Sequence, residues 1–475
     1  MTGWRSGVRF CVVMPTYEEL LRERDELLRR LAEQEKRISH LEKLIEKLQR
    51  KGKRQAAPFS KGEPKAAPKA PGRKAGAQYG QAATRQVPRR VDEAIEVPCP
   101  LYCESCQGKV RLQGKESQYQ IDLPPIRPMT TEFVVHYGKC QDCGRRVHGR
   151  HSRQISSALG VGKVQLGPGV ISWTAYLNKI GGLSYGKIAD VLKEIADLQV
   201  SRSALCRAVT RLAKAAEPSY DKLVSNVQRS PVVYPDETGW RIAGQSSWLW
   251  TFVTPGQTVY RIARGRGFKD AAHVLGENYS GLLGSDGWAP YRRFVDAQRQ
   301  TCLAHLLRRC REMQEVAPGS AAQFPSEVQA LLQAALAVRD RRDAEQISLH
   351  GVKIAKGRLQ ARLARLLDQE QVGPANQRLA KHLRRHEHEL FVFLERPEVE
   401  ATNWPAEQAI RPAVVNRKSC AGNRTARGAH HQGILMSVLR TGRQRQLRPI
   451  DLLTSILHSP RPKPHRALTA NPPPR

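Results

Sequence analysis

Three acidic residues in this 475-residue chain stand where two-metal phosphodiester chemistry could use them. Asp236 follows Val232, Val233 and Tyr234, a run of strand-type side chains; Asp286 follows the short apolar run GLLGS (281–285); Glu407 lies just inside a helix start marked by Thr402, Asn403 and Pro405. Mg²⁺ or Mn²⁺ needs only a few carboxylates beside waters and phosphate oxygens. Two such ions activate the attacking oxygen, stabilise the leaving oxygen and neutralise the phosphate. One carboxylate would bridge the pair and the other two would each hold one ion. Among 44 Asp and Glu residues a triplet alone is weak evidence, so the strand ends and the helix start around it carry the case. Glu237 is the rival ligand, although neighbours on a strand face opposite ways.

Four thiols form a second group. Cys103 and Cys106, then Cys140 and Cys143, are two C-x-x-C pairs, the ligand set of one tetrahedral structural Zn²⁺ with no open position. Cys99, His136 and His148 are nearby substitutes. Segments 119–128 and 132–139 read as two strands joined by a proline turn, which would bring the pairs together. Cys302 and His305 form a C-x-x-H pair that reads either as metal ligands or as a packed cysteine beside a helix-facing histidine.

The elements that must position these groups are legible in outline. A strand ending at Pro235 and Asp236, a hairpin from 246–253 and 258–263 around a Pro-Gly turn, a crossover helix at 268–279 and a strand reaching Asp286 suggest an α+β domain. Residues 301–313 pass from a strand end into a basic helix. Residues 321–395 have helical patterning with breaks at Gly373-Pro374 and Pro397, and Pro412 should end or kink the helix that carries Glu407. Ser184 and Ser201 are N-caps of two helices that form either a helix-turn-helix or an ordinary helical hairpin. Over residues 17–48, Tyr17, Leu31, Ile38 and Ile45 alternate with Leu20, Leu27, Leu41 and Leu48 at heptad spacing, with Arg24 and Gln34 on the same seam: a coiled coil for homo-oligomerisation. Residues 51–90, rich in Lys, Arg, Pro, Ala and Gly, read as a disordered basic linker.

Lys and Arg number 78, giving a net charge of +34 that selects a polyanion as partner. No apolar run is long enough for a membrane span and no secretory signal stands at the N-terminus, so a cytoplasmic, nucleoid-associated protein is expected. Basic residues follow Glu407 with no acid between Gln408 and Ile450; Arg411, Arg417, Lys418, Arg424 and Arg427 are the candidate DNA contacts.

The segments YPDETGWR, LGSDGWAPY, CLAHLLRR and TNWPAEQAIRPAVVNRK with CAGNRT, in this order, resemble the DDE transposases of the bacterial insertion-sequence-66 family. The resemblance implies a multidomain α+β chain: a coiled coil (1–50), the linker (51–90), a zinc ribbon (91–150), a helical, helix-turn-helix-like region (151–228), and a ribonuclease-H-like catalytic domain (229–318 and 397–440). A helical insertion (319–396) interrupts that domain and a basic tail (441–475) follows it. It also implies catalytic roles for Asp236, Asp286 and Glu407 with two Mg²⁺ or Mn²⁺ ions, DNA strand cleavage and transfer at terminal inverted repeats, and element-encoded helper proteins. Two positions depart from the family: Trp404 where a second Asn is usual, and Gln408 where an Arg is usual. Alternative readings of the same residues are a transposase-derived DNA-binding protein without activity and a nuclease without strand transfer.

Overall fold

A computed structural model of the chain describes residues 16–52, 87–156, 165–316, 319–459 and 462–469. Most of the expected linker, like the segment before Thr16, lies outside them. The chain divides into two compact units, Met1–Leu123 and Pro124–Arg475.

In the first unit, α1 (Tyr17–Gly52) is one unbroken helix, as the heptad register requires. Its seam residues Leu27, Leu31, Ile38 and Leu41 are about half exposed in the single chain. The segment around Cys103 and Cys106 is a tight turn closed by a bridge between Tyr102 and Lys109.

The second unit opens with β1 (Tyr137–Lys139) and β2 (Arg146–His148), an antiparallel pair whose turn carries Cys140 and Cys143. This corrects the expected ribbon: residues 119–128 form no strand, and the ladder closes around the second cysteine pair instead of spanning the gap between pairs. Pro124, Pro125 and Pro128 lack the N–H groups that a ladder there would need.

Then come α2 (Pro168–Lys179), α3 (Tyr185–Ala196) and α4 (Arg202–Gln228). Ser184 and Ser201 cap α3 and α4 by accepting from the Lys187 and Ala204 amides. Helix α4 does not stop after a recognition-helix length. Leu205, Leu212, Leu223 and Val227 are fully buried along it, so its full length is a core helix.

The sheet joins β3 (Val232–Ile242), β4 (Gln245–Thr254), β5 (Gln257–Ala263), β6 (Leu282–Ser285) and β7 (Gln298–Thr301) in the order β5-β4-β3-β6-β7. The first three pair antiparallel; β6 and β7 run parallel to β3, reached by a crossover that contains α5 (Phe268–Leu275). Side-chain alternation divides the strands between two cores. Val233, Trp250, Phe252 and Leu283 pack with α2, α4, α5, α12 (Ala426–Gln444) and α13 (Pro449–His458). Val232, Tyr234, Val253 and Leu282 face α6 (Leu303–Val316), α11 (Trp404–Cys420) and the helical segment between them: α7 (Gln323–Asp343), α8 (Leu349–Asp368), α9 (Pro374–His386) and α10 (Val392–Glu395).

Three boundaries differ from the sequence reading. Strand β3 does not end at Pro235 but runs on to Ile242, paired with β4 from Tyr234 onward. Helix α11 continues through Pro412 to Cys420, because Ile410 and Ala413 pack beside Trp240 and Leu249 of the sheet and tertiary burial outweighs the missing hydrogen bond. Residues 441–459 are not a tail: α13 buries Leu452, Leu453 and Ile456 in the main core, and Leu468 of α14 (Arg466–Thr469) joins them.

Candidate functional site

The mixed sheet creates a discontinuity at Asp236. β3 pairs with β6 only at Val232 and Val233, opposite Leu282 and Leu283, while its antiparallel side continues to Ile242. Extending the parallel register by four residues sets Asp236, midway along β3, opposite Asp286, just past the carboxyl end of β6, where α/β sheets open their ligand crevices. Asp236 shares the parity of Val232 and Tyr234, so it turns toward the face covered by α6 and α11.

Glu237, one residue on, turns the other way. Its Oε1 accepts from Nε and Nη2 of Arg266 at 2.9 and 2.7 Å, and its Oε2 accepts from the Tyr291 hydroxyl at 2.9 Å. The Arg266 guanidinium lies over the Trp288 ring at 3.8 Å and over Trp248 at 4.5 Å. Trp288 is two residues beyond Asp286, and its amide donates to Asp286 Oδ1 at 3.0 Å. Glu237 is therefore bonded to the groups that hold the loop carrying Asp286.

On the facing side, Cys302 stands between β7 and α6, α6 supplies His305, and α11 supplies Glu407 in its first turn, where the helix dipole favours a negative charge. One ligand atom from each of Cys302, His305 and Glu407 lies within 4.8 Å of the other two. Among the described residues no such tight cluster joins Asp236, Asp286 and Glu407; like charges gain nothing from mutual approach. His305 links the two halves, since its charge acts on Asp236 and that of Asp286 acts on it. Burial pushes the Asp236 carboxyl up to about 7, reinforced by Glu237 and Asp286 and opposed by the Glu237 amide and by His305. His305 is raised, chiefly by its hydrogen bond with Cys302 and against the effect of burial. Its Nδ1 is buried without a partner.

Asn403 joins the pieces, and sequence reasoning identified it only as a helix cap. It does occupy the N-cap position of α11, but its side chain caps nothing there: Nδ2 donates to the Pro235 carbonyl at 2.9 Å, and its backbone N–H donates to Cys302 Sγ at 3.1 Å. From the helical insertion, His386 is buried against Arg292, Thr301 and Glu389, and a side chain on Gly287, whose φ is +82°, would meet the His386 ring at 3.3 Å.

Of the proposed DNA contacts, Arg411, Lys418, Arg424 and Arg427 are exposed. Arg417 is half-buried and donates to Thr238 Oγ1 and the Gly239 carbonyl, so it ties α11 to β3 and is not a free cation.

The two cysteine pairs have the same local geometry. The amide four residues after the first cysteine (Gln107, Gly144) donates to that cysteine's carbonyl, and the first cysteine's own amide donates to the carbonyl five residues on (Gly108, Arg145). Gln107 and Gly144 both have positive φ, 59° and 68°. The Ser105 and then the Cys106 amide lower the Cys103 thiol pKa; the Cys143 and then the Asp142 amide do so for Cys140. Amides turned toward a sulfur suit a thiolate ligand.

The family model for the transposase IS66 family matches residues 163–431, a stretch that contains Asp236, Asp286 and Glu407 and leaves out α1 and both cysteine turns. No curated protein of known function matches the chain.

Proposed function

The chain belongs to the transposase IS66 family, and from that premise we propose that it cuts and joins DNA ends by metal-dependent phosphodiester hydrolysis and transesterification at Asp236, Asp286 and Glu407. The observation that supports this reading is the break in the sheet: Asp236 lies on β3 just past its parallel pairing with β6, Asp286 follows the end of β6, and Glu407 stands in the first turn of α11, whose N-cap Asn403 donates to the Pro235 carbonyl. The strand order, with three antiparallel strands followed by two parallel ones reached by crossover, supports a ribonuclease-H-like domain interrupted by helices α7 to α10.

The acids fit hard divalent cations. They are oxygen donors, and Asp236 is buried beside two other carboxylates, a placement that a cation relieves. Asp236, Asp286 and Glu407 would hold two Mg²⁺ or Mn²⁺ ions, which when bound supply an activated oxygen nucleophile and a stabilised leaving oxygen. The protein's own work is positional. Asn403 fixes α11 against β3, the Glu237–Arg266 pair fixes the Asp286 loop, and Asp236 would be favoured in its ionised form beside a bound cation. Arg411, Lys418, Arg424 and Arg427 hold the phosphate backbone of the terminal inverted repeats and target DNA.

Cys103, Cys106, Cys140 and Cys143 hold one structural zinc, a reading supported by their matching turns. The exposed apolar seam of α1 supports homo-oligomerisation by a coiled coil.

The test is Mg²⁺-dependent cleavage and joining of a DNA fragment bearing the element's own end. Native protein should cut it. Asp236→Ala, Asp286→Ala and Glu407→Ala should each lose cleavage while binding the fragment, since phosphate contacts do not require the metals. Cleavage retained in any one of the three removes that residue from the site, and cleavage without joined product reduces the activity to that of a nuclease.

A further inference from the structure

Trp404 and Gln408, one turn apart on α11, touch each other. Trp404 is 61% exposed at the first position of α11, three residues before Glu407. With the Gln408 amide turned so that its oxygen faces the neighbouring donors, that oxygen accepts from the Trp404 indole N–H at 3.0 Å and from Arg411 at 3.2 Å. An Arg at 408 has no acceptor to offer, so the Gln belongs with the Trp: it satisfies the indole N–H and fixes the ring's direction while leaving its faces open.

The ring heads a stripe. Gln408, Arg411, Val415 and Lys418 each fall within about 40° of Trp404 around the helix axis, an arc of about 80°. Trp404, Arg411, Val415 and Lys418 are exposed, whereas Ala406, Ala409 and Ala413 on the opposite side are buried. A flat aromatic surface followed by cations on one helix face is the chemistry that holds single-stranded nucleic acid: bases stack on the ring and phosphates meet the cations. Inside a duplex every base face is covered by its neighbours, and a blunt end leaves only the outer face of its terminal pair.

We infer that Trp404, held by Gln408, is a stacking platform for an unpaired base next to the phosphodiester bond that is cut, with Arg411 and Lys418 tracking the same strand. The occupant is a DNA strand and not a second copy of the chain, because the stripe's only charges are positive and the chain itself carries +34. The inference rests on the proposed site at Glu407, since that places the stripe beside the chemistry.

Binding is measured in Ca²⁺, without cleavage, by fluorescence anisotropy with two probes: a labelled blunt duplex, and the same duplex ending in a five-nucleotide unpaired overhang that contains 2-aminopurine. Trp404→Ala should weaken overhang binding by roughly 5- to 100-fold, the range of a lost base–aromatic stack. Blunt duplex binding should change by less than about twofold. Trp404→Phe should retain most of the affinity, and 2-aminopurine quenching should be present in the native protein and lost in Trp404→Ala. Gln408→Leu should reduce the quenching, because the ring is no longer held. Arg411→Ala should weaken both probes alike and flatten the salt dependence. Equal affinity of native protein and Trp404→Ala for the overhang probe overturns the assignment, as does loss of a dimer by light scattering in Trp404→Ala with DNA binding unchanged. Because the assay needs no chemistry, failure of the three-acid site in the cleavage test leaves this result independent.

Discussion

The Asn403 side-chain amide donates to the carbonyl of Pro235, the residue before Asp236, at 2.9 Å. The same residue's backbone N–H donates to Cys302 Sγ, and it is the N-cap of the helix carrying Glu407. One buried side chain thus fixes the spacing between the first and third acids. Asn403→Ala leaves the Pro235 carbonyl buried and unpaired, a cost of about 1–3 kcal/mol. We expect a lower melting temperature and a fall in cleavage rate larger than that loss of folded protein accounts for, since a misplacement of about 1 Å can cost about a hundredfold. Cleavage by the folded fraction equal to native would remove Asn403 from the positioning role.

Arg266 makes a different prediction, because Glu237 is almost fully buried and Arg266 is its cation. Removing one partner of a buried pair typically costs about 3–5 kcal/mol; with Arg266 one-third exposed, the lower end is expected. Arg266→Met should destabilise the fold and loosen the Trp288 loop, lowering cleavage. Glu237→Gln keeps one oxygen to accept from Arg266 and turns its NH₂ to the Tyr291 hydroxyl, which then accepts, so much of the loop contact and substantial activity should remain. If Glu237→Gln is as inactive as Asp236→Ala, Glu237 is a ligand and the assignment of faces is wrong.

The outline of the fold was legible because it rests on local chemistry. The GLLGS run, the Pro-Gly hairpin and the Ser184 and Ser201 caps all form as their residue types dictate. What escaped was decided by partners far along the chain. Pro235 looks like a strand end until β4 is seen to pair past it, and Pro412 looks like a helix end until the sheet is seen beneath it. The hydrophobic spacing of residues 449–458 gave no sign that α2 and α4 would bury it. Within the site the acids were readable from their flanks, but Asn403 and the Glu237–Arg266–Trp288 stack were not, because their partners lie 168, 29 and more residues away.

Asp236 links the site to stability. Its carboxyl is pushed up to about 7 in the folded protein against about 3.9 when unfolded. Between those values the native state binds more protons than the unfolded state, so this residue makes stability fall as pH rises from about 4 to about 7, with the full penalty above that range. Asp236→Asn removes the penalty. We expect its melting temperature to exceed the native value at pH 8, by about 2–4 °C for each kcal/mol relieved, and to match the native value near pH 4. Mg²⁺ should raise the native melting temperature at pH 8 and affect Asp236→Asn little. A variant less stable than native at pH 8 would mean that Asp236 is compensated by contacts other than a cation.

The two cysteine turns give the proposed structural zinc its own test. Gln107 and Gly144 hold matching positive φ angles, and the amides of each turn point toward its first sulfur. Purified protein should contain one zinc per chain by elemental analysis, and Cys103→Ser or Cys140→Ser should lose most of it. Gly144→Val should weaken retention, since a β-branched residue in left-handed backbone costs at least about 1–2 kcal/mol. Cys302→Ser should leave the zinc in place, because Cys302 belongs to the other site. Zinc that survives both Cys103→Ser and Cys140→Ser but is lost from Cys302→Ser would transfer the ion to Cys302, His305 and Glu407, whose ligand atoms lie within 4.8 Å of one another. In that case the third acid would already be occupied by a soft-metal ligand set, and the magnesium site would have to be built from Asp236 and Asp286 without it.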